Sequence, residues 1–241
     1  MTLATEPSPT VQVLPGGPHD LEFFLDPMCP FAWQTSVWIR RVAELRDLRI
    51  GWRFVSLHVI HENDAEPSPN YVGILRRGLE VHRVLAALRA EYGNDEVGWL
   101  YESWGRHLWY GEAGSSVGER AQAIDVVELL NEADLPSSLA DAVTDDSFDH
   151  VLRAETALAF ARAGDDLGTP IITYGPPDGP SFFGPVISSI PTDADALAIY
   201  DSLRTLAAFP DFAEIKRTKR PDLDLPVLRP APATTASAPA D

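Results

Sequence analysis

The sequence predicts an α/β protein with a central mixed sheet and a large all-helical insertion. Apolar segments at residues 21–25 and 48–57 flank a helix-compatible stretch, and such a strand–helix–strand unit implies parallel strands joined by a right-handed crossover. Residues 168–174 and 181–185 have the pattern of an antiparallel hairpin, and a last helix follows them. Residues 66–165, between the two parts, are helical in pattern and far too long for a single crossover helix.

The first strand leads directly into the only cysteine of the chain. Residues 21–25 are short, aromatic-rich and bounded by Asp26-Pro27, which favours a buried strand. Pro30 suits the first position of a helix because its missing N–H would have no partner there. Cys29 is therefore predicted at the helix N-terminus, where free N–H groups and the helix dipole stabilise an anion. We expect a nucleophilic thiol with a lowered pKa, and the alternative is a small buried apolar residue.

The remaining elements follow from periodicity, capping residues and breakers. The second strand alternates over residues 48–57, and residues 58–70 are predicted to be a polar loop. Helical patterns with apolar residues at helical spacing, several of them ended or opened by Gly, Ser or Thr, cover the following stretches: residues 71–91, 97–110, 116–133, 136–143 and 147–163, and a final helix from the cap Thr192 to before Pro210.

Composition excludes several classes of function. The chain of 241 residues has 36 acidic and 19 basic side chains and a formal net charge of −17, which opposes binding to nucleic acid or to anionic membranes. Its apolar runs are shorter than the roughly 20 residues of a membrane helix. Residues 1–18 lack the pattern of a signal peptide and are predicted to be a mobile arm, and residues 221–241 a disordered tail. A cytoplasmic protein is expected.

Several short motifs, in this order, resemble the DsbA-like branch of the thioredoxin superfamily. Within that branch the chain is most similar to the mycothiol-dependent nitroreductase group of actinobacterial thiol oxidoreductases. The motifs extend over nearly the whole chain: Asp26-Pro27-Met28-Cys29-Pro30-Phe31-Ala32-Trp33, Glu62-Asn63, Gly168-Thr169-Pro170, Phe182-Phe183-Gly184-Pro185-Val186 and Lys216-Arg217-Thr218. The resemblance implies a thioredoxin-like domain formed by residues 19–65 and 166–220, with residues 66–165 as its helical insertion.

The resemblance also implies roles for individual residues. Cys29 corresponds to the catalytic cysteine. Pro170 corresponds to a cis-proline lying against it, and the backbone of Thr169 would pair with the substrate. Substrate binding is further expected at Pro30, Phe31 and Trp33.

Two positions depart from the Cys-Pro-x-Cys pattern of the family. Ala32 occupies the place of the second cysteine, and Phe31 replaces the usual tryptophan. Because alanine cannot resolve a mixed disulfide, a dithiol–disulfide cycle within one chain is excluded.

The chemistry that remains is a monothiol mechanism. We expect Cys29 to form mixed disulfides that a low-molecular-weight thiol such as mycothiol resolves, with reduction of small electrophiles as a further possibility. Mycothiol would be a cosubstrate, and neither a tightly bound cofactor nor a metal is predicted. The expected partner is a small thiol or disulfide, and a homodimer is left open. The alternatives are a redox-inactive binding module of thioredoxin fold and a kappa-class-like thiol transferase.

Three further groups are weaker candidates. His58 and His61 lack a third metal ligand nearby and are interpreted as loop residues. Five aromatic residues in the insertion favour core packing, with a substrate pocket as the alternative: Trp99, Tyr101, Trp104, Trp109 and Tyr110. A basic cluster follows the last helix and is interpreted as a solvated face that could hold an anionic ligand: Lys216, Arg217, Lys219 and Arg220.

Overall fold

The computed structural model describes residues 13–64, 68–165 and 167–230. Strand β1 (Leu21–Leu25) continues into helix α1 (Pro30–Arg46), which leads to strand β2 (Ile50–Phe54). The two strands pair in parallel, with Leu21 opposite Ile50 and Leu25 opposite Phe54. The strand–helix–strand unit is therefore confirmed.

The sheet is completed by strands from the C-terminal part of the chain. Strand β3 (Ile171–Tyr174) pairs antiparallel with β1, and strand β4 (Ser181–Phe183) pairs antiparallel with β3. The strand order is β2-β1-β3-β4. This mixed sheet, with a helical insertion between β2 and β3, is the predicted thioredoxin-like arrangement.

Helices cover both faces of the sheet. Helix α8 (Asp193–Ala207) lies beside α1, and the Trp38 indole N–H donates to the Ala196 carbonyl at 3.2 Å. Helix α7 (Asp149–Ala163) packs on the other face, where Phe24 of β1 contacts Leu158. Because successive strand residues point to opposite faces, the apolar residues directly before and after Phe24 face the helices on the other side of the sheet.

The first helix after β2 begins earlier than predicted. Helix α2 (Leu57–His61) starts where Ser56 Oγ accepts a hydrogen bond from the Val59 N–H at 3.4 Å. The predicted strand over residues 48–57 is therefore too long, and the predicted loop over 58–70 is wrong at its start. Capping by the serine side chain ends the extended backbone.

The rest of the insertion is helical, with one break that the periodicity did not show. Its members are α3 (Pro69–Tyr92), α4 (Asn94–Trp109), α5 (Val117–Ala123), α6 (Val126–Glu132) and two 3₁₀ segments at Ser137–Thr144 and Asp146–Phe148. The single helix predicted over 116–133 is wrong, because Asp125 Oδ1 caps a new helix by accepting from the Val127 N–H at 2.8 Å. The Arg77 guanidinium donates hydrogen bonds to the carbonyl oxygens of Ala121 and Ile124 at the end of α5, at 3.0 and 2.8 Å.

A buried ion-pair network joins the sheet to the helices on the α7 side. Arg53 on β2 has no exposed surface and contacts Glu22 at 2.6 Å and Glu155 of α7 at 3.0 Å. Arg162 also pairs with Glu22, and Arg89 of α3 pairs with Glu155 at 3.1 Å. Each buried carboxylate therefore has more than one cationic partner, as burial of a charge requires.

The chain ends differ from the sequence prediction where the structure describes them. Leu14, within the predicted mobile arm, is 5% exposed, and residues 1–12 lie outside the described residues. In the predicted disordered tail, Leu225 and Val227 are buried and Pro226–Leu228 forms a 3₁₀ turn. Through these two apolar side chains, residues 221–230 pack on the core. Residues 231–241 are not described.

None of the helices within the described parts of the chain is both long enough and apolar enough to cross a membrane.

Candidate active site

Cys29 is the N-cap residue of α1. Its backbone is extended (φ −87°, ψ 114°), and its Sγ accepts a hydrogen bond from the Ala32 N–H at 3.4 Å. Pro30 is the first helical residue, as predicted. The sulfur takes the place of the hydroxyl oxygen of a serine cap, so the predicted position of Cys29 at the helix N-terminus is confirmed.

The Thr169–Pro170 turn lies against this sulfur, although it is 140 residues away in sequence. The Cys29 thiol donates to the Thr169 carbonyl oxygen across 3.6 Å. Thr169 Oγ1 donates in turn to the Phe24 carbonyl on β1 at 3.2 Å, which holds the turn at the end of the sheet. The Thr169–Pro170 peptide bond is cis. The three residues that the resemblance placed together are therefore neighbours in space.

A buried carboxyl group organises the loop before Cys29. Asp26 is 1% exposed; its Oδ1 accepts from the Met28 N–H and its Oδ2 from the Leu57 N–H, both at 2.8 Å. Burial raises the pKa of Asp26, and the His82 charge and the two backbone N–H groups oppose that shift. Asp26 thereby connects the Cys29 loop to the start of α2.

His82 of α3 lies beside this carboxyl group and has no exposed surface. Its Nε2–H donates to the Leu25 carbonyl at 3.2 Å, while its Nδ1 lies 3.9 Å from Asp26 Oδ2. Burial lowers the pKa of His82 although Asp26 raises it, so the ring is neutral at neutral pH.

The expected lowering of the Cys29 pKa is wrong for this conformation. The residue is 6% exposed, and burial raises the pKa of its thiol to about 12. The Asp26 charge adds to the shift, while the N–H groups of Ala32 and Phe31 oppose it. Desolvation of the sulfur therefore outweighs the helix N-terminus, and the resting form is the thiol.

The helical insertion packs against the loop that leads into Cys29. The Trp104 indole N–H of α4 donates to the Pro27 carbonyl at 3.0 Å, next to the Cys29 loop. Helix α3 approaches as closely, since a Cβ added to Gly78 would lie only 3.2 Å from Met28 Cγ. The insertion therefore covers residues 27 and 28, directly before Cys29.

The other predicted binding residues fall into two groups. Pro30 and Phe31 are partly exposed beside Cys29, whereas Pro170 is buried. Trp33 is only 1% exposed and packs edge-on against Tyr101, with ring centroids 5.8 Å apart. Trp33 is therefore a core residue in this structure, and its role in substrate binding stays a prediction.

The weaker sequence candidates lie mostly outside the site chemistry. His61 Nδ1 pairs with Asp64 Oδ2 at 2.7 Å, and burial lowers the pKa of the half-buried His58. Within residues 13–64, 68–165 and 167–230, no group of three His, Cys, Asp or Glu side chains could hold a metal ion. Of the five aromatic residues of the insertion, three are buried in the core and two are exposed: the buried ones are Tyr101, Trp104 and Trp109, and the exposed ones are Trp99 and Tyr110.

Sequence reasoning missed Asp26 and His82 as members of the site. In the sequence, Asp26 ends a strand and belongs to the motif around Cys29 without a role of its own, and His82 lies among the apolar residues of α3. A histidine on the buried stripe of a helix, together with an acid between a buried strand and the cysteine, was the signal available. Their contact joins residues 56 positions apart, which periodicity does not show.

The chain is similar to known proteins over most of its length. Residues 28–217 match the family model described as Rv2466c-like, mycothiol-dependent nitroreductase Rv2466c. An uncharacterized protein of Mycobacterium tuberculosis, Rv2286c, is 30% identical over 207 residues, which is 85% of either chain.

Similar solved structures include two thiol-related proteins at low identity. The cytosolic disulfide reductase DsbM from Pseudomonas aeruginosa has a TM-score of 0.49 and 18% identity, covering 77% of this chain and 98% of DsbM. DsbA from Chlamydia trachomatis has a TM-score of 0.44 and 14% identity, covering 86% of this chain and 100% of that one.

Proposed function

The chain belongs to the Rv2466c-like family of mycothiol-dependent nitroreductases, and from that membership we propose that it is a monothiol thiol–disulfide oxidoreductase. Cys29 forms mixed disulfides, and a low-molecular-weight thiol such as mycothiol, the thiol in the name of the family, resolves them. The proposal covers Cys29 as nucleophile and Pro30, Phe31, Thr169 and Pro170 as the surface against which the disulfide lies.

The position of the Cys29 sulfur carries this proposal. It lies 3.4 Å from the Ala32 N–H and 3.6 Å from the Thr169 carbonyl. The first contact stabilises negative charge on sulfur, both in the attacking thiolate and when that thiolate is released from a mixed disulfide. The second lies at the end of β3, where an extended substrate backbone can find hydrogen-bond partners.

The proposed cycle needs one protein thiol and two molecules of the small thiol. Cys29 thiolate attacks a disulfide RSSR, so that a Cys29–SR bond forms and one RS⁻ leaves and is protonated. The small thiol, as thiolate, attacks the sulfur of R and releases Cys29, and a second molecule converts the resulting mixed disulfide into its own disulfide. In sum, RSSR is reduced to two RSH and two small thiols are oxidised to one disulfide.

The buried thiol sets the condition under which this cycle can begin. With a pKa of about 12, only about one molecule in 10⁵ carries the thiolate at pH 7. In the resting protein the Thr169 carbonyl accepts the thiol proton. A substrate N–H that pairs with this carbonyl would withdraw that acceptor, and an opening that admits water would remove the desolvation. Both changes favour the thiolate, so reactivity is coupled to substrate docking.

Intact-mass measurement of the Cys29 adduct tests the proposal. The full chain is incubated with bis(2-hydroxyethyl) disulfide between pH 6 and 10 and quenched with acid. We expect a single adduct whose rate of formation rises with pH through the whole range, and none in Cys29→Ser. A small thiol added afterwards should return the protein to its free mass. Absence of the adduct even at pH 10 would contradict the proposal.

A redox-inactive binding module is the second candidate, and one observation favours it. Burial of Cys29 and the raised pKa of its thiol are the properties of a structural cysteine. To compare the two candidates, the rate of Cys29 with a disulfide and its rate with iodoacetamide are each divided by the rate of free cysteine with the same reagent. For a structural cysteine, the relative rate with the disulfide would not exceed the relative rate with iodoacetamide. A relative rate with the disulfide well above the one with iodoacetamide, measured on the same preparation, selects the oxidoreductase.

A further inference from the structure

After α8, residues 212–225 form neither helix nor strand. Contacts with the body of the protein flank the exposed part of this stretch. The Phe212 ring lies 5.8 Å from the Phe182 ring of β4, and further along Ser188 Oγ donates to the Pro221 carbonyl at 3.1 Å. The residues between these contacts are exposed.

This exposed part contains the densest positive charge of an acidic chain. Residues 216–220, hereafter the basic segment, hold four cationic side chains in five positions and include both lysines of the protein. Lys216 contacts Glu214 at 3.8 Å. Arg217, Lys219 and Arg220 form no ion pair with any residue that the structure describes. Their charges therefore remain available to a ligand.

The basic segment borders the Cys29 end of α1. The Arg220 guanidinium carbon lies 5.6 Å from the centroid of the Phe31 ring, and Phe31 follows Cys29 by two residues in the first turn. At a rise of about 1.5 Å per residue, the backbone of Phe31 lies only about 3 Å along the α1 axis from that of Cys29. The positive end of the α1 dipole lies at the same place, so two sources of positive potential converge there.

We propose that the basic segment is a subsite for an anionic group, carboxylate or phosphate, on the disulfide that reacts with Cys29. This rests on the proposed function and adds the charge of its substrate. With a formal net charge of −17 the protein as a whole repels anions, so a local positive surface is needed to bring one to the thiol. Arginine and lysine side chains on an exposed segment can pair with the anion as the neighbouring sulfur attacks.

The chemistry at Cys29 is unchanged by this subsite. The bond from Cys29 sulfur to the nearer disulfide sulfur forms, the disulfide bond breaks, and the anionic half leaves as a thiolate that is then protonated. The basic segment stabilises the anionic group throughout, and it favours approach of a negatively charged disulfide over a neutral or positive one.

Rates of Cys29 adduct formation with three disulfides test the proposal. 3,3′-Dithiodipropionate carries two negative charges, bis(2-hydroxyethyl) disulfide none, and cystamine two positive charges. At low ionic strength we expect the double variant Arg217→Glu/Lys219→Glu to react about three- to tenfold more slowly with the dianion, since several charges at one Debye length or less contribute. The neutral disulfide should change by less than twofold, and added salt should abolish the difference.

A matched control separates a local effect from the change in overall charge. Arg46→Glu/Arg204→Glu alters the net charge equally, and Arg46 lies at the far end of α1, about 26 Å from Cys29 by helical rise. It should leave the dianion rate within twofold of wild type. Equal slowing by both double variants, or equal slowing of all three disulfides, overturns the subsite while leaving the oxidoreductase intact. Failure of every disulfide to form an adduct instead overturns the proposed function.

Discussion

Replacing Asp26 by asparagine removes one negative charge from the base of the site. In the structure its two oxygens accept from Met28 and Leu57 N–H groups at 2.8 Å. Asparagine keeps one acceptor and places an amide N–H₂ against the other donor. A buried donor without an acceptor costs about 1–3 kcal/mol, so the variant is less stable than wild type where Asp26 is protonated.

The difference in stability should shrink as pH rises. Burial raises the pKa of Asp26 above its unfolded value of 3.8, so the contribution of this group to stability is complete below pH 3.8 and is lost as pH rises through the folded pKa. The loss proceeds at up to about 1.4 kcal/mol per pH unit, and Asp26→Asn lacks it.

Urea unfolding at intervals from pH 4 to 8 measures this directly. Asp47→Asn is the matched control, because it removes one exposed charge at the other end of α1, where φ is 54° and asparagine is well tolerated. We also expect faster alkylation of Cys29 in Asp26→Asn at pH 9, since the Asp26 charge raises the pKa of that thiol. A stability difference that grows with pH would show that the carboxylate is favoured in the fold, and would refute the reasoning.

Three other substitutions test the site and its support. Ala32→Cys should form an internal disulfide with Cys29 under oxidation, seen by mass as the loss of two hydrogens. The new thiol should also shorten the lifetime of mixed disulfides at Cys29, because it can attack them within the same chain. An unchanged lifetime would contradict the proposed monothiol cycle. Glu155→Ala should lower the free energy of unfolding by about 3–5 kcal/mol, because it removes a buried carboxylate that pairs with Arg89 and Arg53 and accepts from the Phe54 N–H; a loss under 1 kcal/mol in urea would oppose this. Gly105→Ala should lower the melting temperature and change indole fluorescence, since its Cβ would lie 2.1 Å from Trp33 Cε3, and a neutral effect would show that the ring moves freely.

Local sequence was sufficient for the elements that depend on near neighbours. The bounds of β1, the opening of α1 at Cys29 and the Thr192 cap of α8 were predicted because capping and strand signals act within a few residues. The break between α5 and α6 was missed because Asp125 lies within a continuous apolar pattern, and the arginine that takes the freed carbonyls comes from α3.

The sequence by itself determined that the cysteine lies at the start of its helix, that it lacks a second thiol beside it, and that the chain as a whole is acidic. Only the tertiary structure decided the protonation of that cysteine. The potential of a helix N-terminus is a local property, but desolvation depends on everything packed around the sulfur. Thr169 reaches Cys29 from a distant part of the chain, and Trp104 of the insertion donates to Pro27 in the loop before it. Burial of the sulfur, with the nearby Asp26 charge, keeps it a thiol.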